Sequence, residues 1–330
     1  EWLETVAAKL ASRFDLSALK EHAIELDPRR IDRALVRSLA AIGVNRASLG
    51  VQDVSPQVQR AIGRVQPFEL VERAAAWLRE AGIENLNIDL MYGLPEQSVR
   101  DVARSAELAV SLGAQRLALF GYAHVPWFKT HQKLIDDAAL PGLAERLEQA
   151  QVASETLESL GYEAVGLDHF ALPADELCVA QRERRLRRNF QGYTTDDADA
   201  LIGLGASAIG RLPQGFVQNA PDLAGYSRAI AAGRLATVKG LTLSADDRLR
   251  GEIIERLMCD LELDLDKFGG GAASFAAEIK ALAPLAEQGL LRIEGSRITV
   301  TPSGRPYVRI AAAAFDTYLA ASQKRHSVAV

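Results

Sequence analysis

The sequence predicts an α/β fold in which parallel strands joined by crossover helices curve into a barrel, followed by a smaller, mainly helical, winged-helix-like region. The first prediction rests on short apolar strands that each end in a polar or otherwise site-forming residue. These are His22-Ala23-Ile24-Glu25-Leu26-Asp27-Pro28, Ala47-Ser48-Leu49-Gly50-Val51-Gln52-Asp53, Leu86-Asn87-Ile88-Asp89-Leu90-Met91-Tyr92-Gly93-Leu94-Pro95 and Leu117-Ala118-Leu119-Phe120-Gly121-Tyr122-Ala123-His124-Val125-Pro126. A helix-like stretch follows each, and such alternation means parallel strands with crossovers. The second prediction rests on residues 245–330, which read helix, helix, hairpin.

Taken in order, the chain opens without an initiator methionine, on Glu1-Trp2-Leu3. An amphipathic helix follows with Leu3, Val6, Ala7, Leu10 and Phe14 on one stripe, so the expected context is a start inside a larger fold. Pro67 opens a later helix whose stripe is Leu70, Ala74, Trp77, Leu78 and Ala81, and Gly82 suits its C-terminal cap. Ser98 and Asp101 form a capping box for a helix with Val102, Ala106 and Ala109 facing inward. Another helix, Leu143 to Leu160, stops at Gly161, and a strand from Glu163 to Leu167 leads to Asp168-His169-Phe170. These units make up a first region, 1–170.

A middle region, 171–244, is less periodic. It holds the basic run Arg182 to Arg188, then Asn189-Phe190-Gln191-Gly192-Tyr193-Thr194-Thr195 and the small-residue stretch Gly203 to Gly210. In the last region, 245–330, Ser244 caps a helix carrying Leu249, Ile253, Ile254, Leu257 and Met258. A second helix runs from Ala272 to Gln288. Leu290 to Ile293 and Arg297 to Thr301 form a hairpin across Glu294-Gly295-Ser296, and a final helix follows Pro302.

The chain has 330 residues, 48% hydrophobic and 25% charged, with a net charge of -5. That supplies no bulk attraction to nucleic acid or anionic lipid. No apolar run reaches membrane-span length and no secretory segment opens the chain, so no membrane span and a cytoplasmic location are expected. Cys178 and Cys259 are far apart and show no metal-ligand spacing, so no metal site is expected from them.

In a parallel barrel, side chains at the C-terminal strand ends converge on one mouth. Glu25, Gln52, Asp89 and Ala123-His124 therefore belong to one candidate site. A carboxylate at Glu25 suits an amino group or ribose hydroxyls, or else a salt bridge to the next strand. Gln52 offers a donor and an acceptor. Asp89 lies between Ile88 and Leu90, where an unpaired charge is costly, so donors or a cation such as Arg64 or Arg46 should face it. Arg64 suits a ligand carboxylate, or is a surface residue. His124 and His169 are acids, bases or hydrogen-bonded structural groups. The arginine run is a carboxylate or phosphate site or a solvated helix face. The Gly203–Gly210 stretch allows close backbone approach to a ligand.

The motifs Leu49-Gly50-Val51-Gln52-Asp53, Asn87-Ile88-Asp89-Leu90-Met91-Tyr92-Gly93-Leu94-Pro95, Tyr122-Ala123-His124-Val125-Pro126 and Asp168-His169-Phe170 resemble the oxygen-independent coproporphyrinogen III oxidase (HemN) family of the radical S-adenosylmethionine (SAM) superfamily. So, above all, does Arg188-Asn189-Phe190-Gln191-Gly192-Tyr193-Thr194-Thr195. The likeness extends to the C-terminal Phe315-Asp316-Thr317-Tyr318-Leu319. It implies a partial TIM-type barrel, 1–170, with an extension, 171–244, and the family's C-terminal domain, 245–330.

The resemblance also implies a monomer with two bound SAM molecules, one cleaved reductively on a [4Fe-4S] cluster. The 5′-deoxyadenosyl radical would remove hydrogen from propionates of coproporphyrinogen III, and loss of CO2 would leave the vinyl groups of protoporphyrinogen IX. An electron donor of unknown identity is implied. By motif, the cofactor-binding positions are Glu25, Gln52, Arg64, Asp89, Ala123 and Ile209; no catalytic residue is assigned. The family's C-x3-C-x2-C motif is absent, and without three thiolates a cluster has no anchor. A chain truncated ahead of Glu1 is therefore expected. The alternatives are a heme chaperone of the same superfamily or a non-catalytic binding protein. The acidity and the lack of a basic recognition helix speak against DNA binding by the tail.

Overall fold

The computed structural model describes residues 2–321. By its contacts the chain divides into two compact units, one up to Val179 and one from Ala180 onward.

In the first unit the order is α1 (Trp2–Ala11), β1 (Ala23–Leu26), α2 (Arg33–Ala41), β2 (Arg46–Gln52), α3 (Pro56–Ala61), α4 (Phe68–Glu80), β3 (Asn85–Tyr92), α5 (Val99–Ser111), β4 (Arg116–Gly121), α6 (Leu143–Ser159), β5 (Glu163–Val165) and β6 (His169–Ala171). Six strands form one open sheet in the order β1-β2-β3-β4-β6-β5. The first four are mutually parallel, as the alternation predicts. The expected strand Glu163–Leu167 is shorter. Gly166, at a φ of 53°, reverses the chain, and β5 and β6 pair antiparallel, with β6 also antiparallel to β4. A reversal this tight leaves no room for a crossover helix, so the edge cannot be parallel.

Period-two patterning decides which face is core. Along β2 the buried residues are Ala47, Leu49 and Val51, and along β3 they are Leu86, Ile88 and Leu90. They pack with Val36 and Leu39 of α2, Val71, Ala74, Ala75 and Leu78 of α4, Val102, Ala106 and Ala109 of α5 and Leu157 of α6. The alternate positions, Ser48, Gly50, Gln52, Asn87 and Asp89, face the other side and are half-buried.

Caps fall where the sequence places them. Ser98 and Asp101 form the capping box of α5, and Gly82 (φ 87°) and Gly161 (φ 91°) follow α4 and α6 in the left-handed region. The buried stripe of α4 is rotated slightly from the expected one: Val71 and Ala75 are buried beside Ala74 and Leu78, while Trp77 and Ala81 pack against the core half-buried. α1 forms and lies against α2, but none of its residues is fully buried, and Phe14 of the expected stripe lies beyond its end.

The chain passes between units through α7 (Glu176–Arg182). The second unit holds β7 (Arg187–Asn189), β8 (Gly192–Thr194), β9 (Ile209–Leu212), β10 (Gly215–Asn219), α8 (Leu223–Ala231), β11 (Thr237–Thr242), α9 (Ala245–Asp260), β12 (Glu262–Asp264), α10 (Gly271–Ser274), α11 (Ala276–Glu287), β13 (Leu291–Glu294), β14 (Arg297–Val300), α12 (Val308–Ala313) and α13 (Thr317–Ala321). The aperiodic middle contains an antiparallel sheet, β11-β10-β9, that the sequence pattern does not announce. The helix expected over Ala272–Gln288 is interrupted at Phe275, whose ring is buried against Phe315 at 5.9 Å between centroids. The hairpin forms as predicted, and β12 joins it to give the order β12-β14-β13, which completes a winged-helix-like arrangement.

Candidate functional site

Parallel register brings three of the predicted residues, Glu25, Gln52 and Asp89, onto the polar face of the sheet. Glu25 is in register with Ser48, Ser48 with Asn87, and Gly50 with Asp89. Among the described residues no arginine pairs with Asp89. It accepts from Ser48 Oγ (3.0 Å) and Asn87 Nδ2 (3.1 Å), and Asn87 Nδ2 also reaches Ser48 Oγ at 2.8 Å. Burial pushes the Asp89 carboxyl up to about 6; the Ser48 hydrogen bond pulls against this, and the charge of Glu25 adds to it. The two carboxylates therefore share a face and feel one another. Arg46, the other predicted partner, is committed to Glu21 at 2.7 Å.

Gln52 ends β2 with a φ of 67°, and the Asp53 N–H donates to Val51 O at 2.9 Å. This is a γ-turn, a rare backbone for a non-glycine residue. The β2–β3 register slips between Gly50 and Gln52 at the same place. A Cβ on residue 50 would lie 2.7 Å from Gln52 Nε2 and 3.4 Å from Arg64 Nη2, so glycine there lets both side chains fold over the strand. Arg64 donates to Gly50 O (2.8 Å) and pairs with Asp27 (3.4 Å). Burial lowers the pKa of its guanidinium, and Asp27 opposes that. Asp27 itself is held down to about 2, first by its hydrogen bonds from Arg29.

Among the described residues, buried polar atoms without partners on this face include Asn87 Oδ1, an acceptor, and Arg46 Nη1 and Arg64 Nε, donors. Leaving such atoms unpaired costs about 1–3 kcal/mol each, so they mark where a ligand with both donor and acceptor groups gains most.

Ala123 is exposed at the C-terminal end of β4, beside the end of β3 through the Tyr122 N–H to Tyr92 O bond of 2.8 Å. Its carbonyl accepts from Gln132 Nε2 at 3.0 Å. Ile209 lies in the second unit, where it opens β9 opposite Gln218. His124 is hydrogen-bonded to Tyr122 (3.2 Å) and paired with Asp137 (2.8 Å), and His169 contacts Asp168 (2.7 Å).

The arginine run is neither a helix face nor an open anion site. Only Arg182 belongs to a helix. Arg184 pairs with Glu262, Arg185 with Glu183, and Arg187 with Glu255. The small residues after Leu201 make room for backbone of this same chain. A Cβ on Gly203 would lie 2.8 Å from Ile209 O, and one on Gly210 2.9 Å from Leu201 O.

Sequence reading missed Ser48 and Asn87. The signal was present, because Asn85-Leu86-Asn87-Ile88-Asp89 alternates polar and apolar through a whole strand rather than ending in one polar tip.

Comparison with known proteins matches residues 2–109 to the radical SAM superfamily and residues 243–307 to the HemN C-terminal domain. The oxygen-independent coproporphyrinogen III oxidase of Bradyrhizobium diazoefficiens is 46% identical over 99% of this chain and 73% of its own length. That of Paracoccus denitrificans is 43% identical over 100% of this chain and 74% of its own length. The solved structure of coproporphyrinogen III oxidase (HemN) from Escherichia coli, a radical SAM enzyme, superposes with a TM-score of 0.91 at 38% identity. That match covers 96% of this chain and 74% of the other.

Proposed function

Since the chain belongs to the oxygen-independent coproporphyrinogen III oxidase family of the radical SAM superfamily, we propose that the polar face of its parallel sheet is where it holds SAM. The protein is an oxidoreductase of porphyrin biosynthesis. It converts coproporphyrinogen III to protoporphyrinogen IX by oxidative decarboxylation of two propionates to vinyl groups. Among the described residues no helix is long and apolar enough to cross a membrane.

The face fits the cosubstrate. SAM carries an α-amino group and a carboxylate, two ribose hydroxyls, an adenine edge and a sulfonium charge. Glu25 and Asp89 are acceptors for the ammonium or the hydroxyls, the unpaired Arg64 Nε suits a carboxylate, and the amide of Gln52 serves either sense of hydrogen bond. In this reading the backbone of Ala123 at the end of β4 meets a flat ring edge. A second SAM, and a share for Ile209 in holding it, belong to this proposal. When bound, SAM together with the family's [4Fe-4S] cluster supplies one-electron chemistry that removes a hydrogen atom from the substrate.

The cluster does not fit this set of residues. Both cysteines are buried, and among the described residues no group of three His, Cys, Asp or Glu is arranged to hold a metal. No step is therefore assigned to a metal ligand of this chain. What the chain's own residues do is bind and orient. Two carboxylates draw the cationic end of the ligand onto the sheet, and the apolar strand face behind them keeps that sheet rigid.

The carrying observation is the shared face of Glu25 and Asp89, with Gln52 and Arg64 folded over Gly50 beside them. Equilibrium dialysis of S-adenosylhomocysteine against the purified chain tests it. Asp89→Asn and Gln52→Ala should each weaken binding about tenfold, the scale of one lost buried hydrogen bond to a charged group. Binding indifferent to both would remove the site from this face. The reaction is checked by anaerobic turnover of coproporphyrinogen III, with SAM and a reductant, by a form of the protein that carries the family's three cluster cysteines.

A further inference from the structure

Behind Gln52 lies a buried polar network that hydrogen-bonding economy alone does not explain. Asp53 is wholly buried. Its Oδ1 accepts from the Ser55 N–H (2.6 Å), and its Oδ2 accepts from Gln97 Nε2 (2.7 Å). The same Gln97 nitrogen also donates to Met91 O at 2.8 Å, and Gln97 Oε1 accepts from the Leu94 N–H at 3.1 Å. Gln149 of α6 closes the chain: its Nε2 donates to Gln97 O (2.7 Å), and its Oε1 accepts from the Gly93 N–H (2.8 Å). On the other flank Gln59 Nε2 donates to Asp53 O (2.9 Å) and to Gln66 O (2.7 Å), while its Oε1 accepts from the Gln66 N–H (2.8 Å). All of Gln59, Gln66, Gln97 and Gln149 are buried.

We propose that Asp53, Gln97 and Gln149 are positioning residues that lock the segment after β2 to the segment after β3, and so hold Gln52 in its left-handed conformation with its amide over Gly50.

Three features carry this. A γ-turn at a glutamine is strained by about 1–3 kcal/mol and persists only where its surroundings over-determine it. Here Asp53 after the turn is tied by the buried amides of Gln59 and Gln97, and Val51 O before it accepts from Gln66 Nε2 at 3.4 Å. Gln97 has committed both donors and its acceptor, so it cannot turn without breaking three bonds. Asp53, finally, is a costly choice at a buried position, since burial pushes its carboxyl up to about 6. An apolar residue would fill the space at less cost, whereas a carboxylate accepts from both the Ser55 amide and Gln97 at once.

The inference rests on Gln52 touching the cosubstrate, and a double-mutant cycle separates the two claims. The readout is the dissociation constant of S-adenosylhomocysteine, with folding checked by circular dichroism. Gln97→Met, nearly isosteric, should weaken binding about tenfold in the wild-type background, within the range of couplings between contacting residues. In a Gln52→Gly background, where glycine takes the positive φ freely, the same substitution should change affinity less than about twofold. Should Gln97→Met fail to fold, Gln149→Met, which cuts the tie to Gly93, runs the same cycle. Equal losses in both backgrounds, or none in either, overturn the positioning role while leaving the site intact. Unchanged binding on Gln52→Gly alone overturns the site itself, and this inference with it.

Discussion

Burial pushes the Asp89 carboxyl up to about 6; the Ser48 hydrogen bond works against that, the Glu25 charge reinforces it, and the field of His169 and the bond from Asn87 oppose it. The sign of the consequence follows from which form a ligand prefers. A sulfonium or ammonium group is drawn to the carboxylate, so affinity for SAM should rise as pH climbs through about 6 and level off above it. In Asp89→Asn the profile should lose that rise, which titration calorimetry at pH 5, 6 and 7 would read. For folding the sign is opposite. An acid whose folded pKa is raised favours the folded state most when protonated, and this contribution fades as pH rises from the ordinary carboxylate value toward 6. Cys259 is a simpler case at the same scale. Burial pushes its thiol up to about 12, and Cys178 is equally enclosed. Both should resist iodoacetamide at pH 8 in the native protein and react once urea unfolds it. Two buried, inert thiols are what the isolated spacing of the cysteines in the sequence leads one to expect, and both are buried.

At the scale of elements, the sequence carried most of what is local. The capping box at Ser98, the cap at Ser244, the glycines after α4 and α6 and the hairpin at Gly295 are encoded within a few residues, and all form as read. Elements that depend on distant partners were not legible. The β9–β11 sheet carries no clean alternation, and the arginine run is spent on carboxylates of α9 and β12. The strand β2 tests the link from element to site. In Gly50→Ala the new methyl meets the far ends of the flexible Gln52 and Arg64 side chains rather than backbone. The melting temperature should therefore move by no more than about 2 °C, while affinity for S-adenosylhomocysteine falls by about tenfold. A large drop in stability with binding intact would show that Gly50 serves the fold and not the site.

Across the first unit as a whole, the sheet divides labour between its faces. One face packs against four helices, and the other is polar and half-buried. The core face supplies the rigidity that holds Ser48, Gln52, Asn87 and Asp89 in register. Ile88 sits at its centre, fully buried, one residue from Asp89. Ile88→Ala should cost about 2–5 kcal/mol, measured by urea denaturation, because it removes buried methyl groups and leaves a cavity. A cost below 1 kcal/mol would mean that the sheet is not the core described here.

The amino-acid sequence alone determined the strand–helix alternation, the parallel order of β1 to β4, the helix ends and the family, because period, caps and motifs are written within short stretches of chain. Only the tertiary structure decided that Asp89 is met by Ser48 and Asn87 rather than by arginine, that β5 turns back on β6, and that Gln52 is held in a γ-turn by amides from three separate segments. The first of those outcomes depends on register between strands some 40 residues apart, as in the Ser48–Asp89 bond across a separation of 41. Register is set by the packing of a whole face and not by any local pattern.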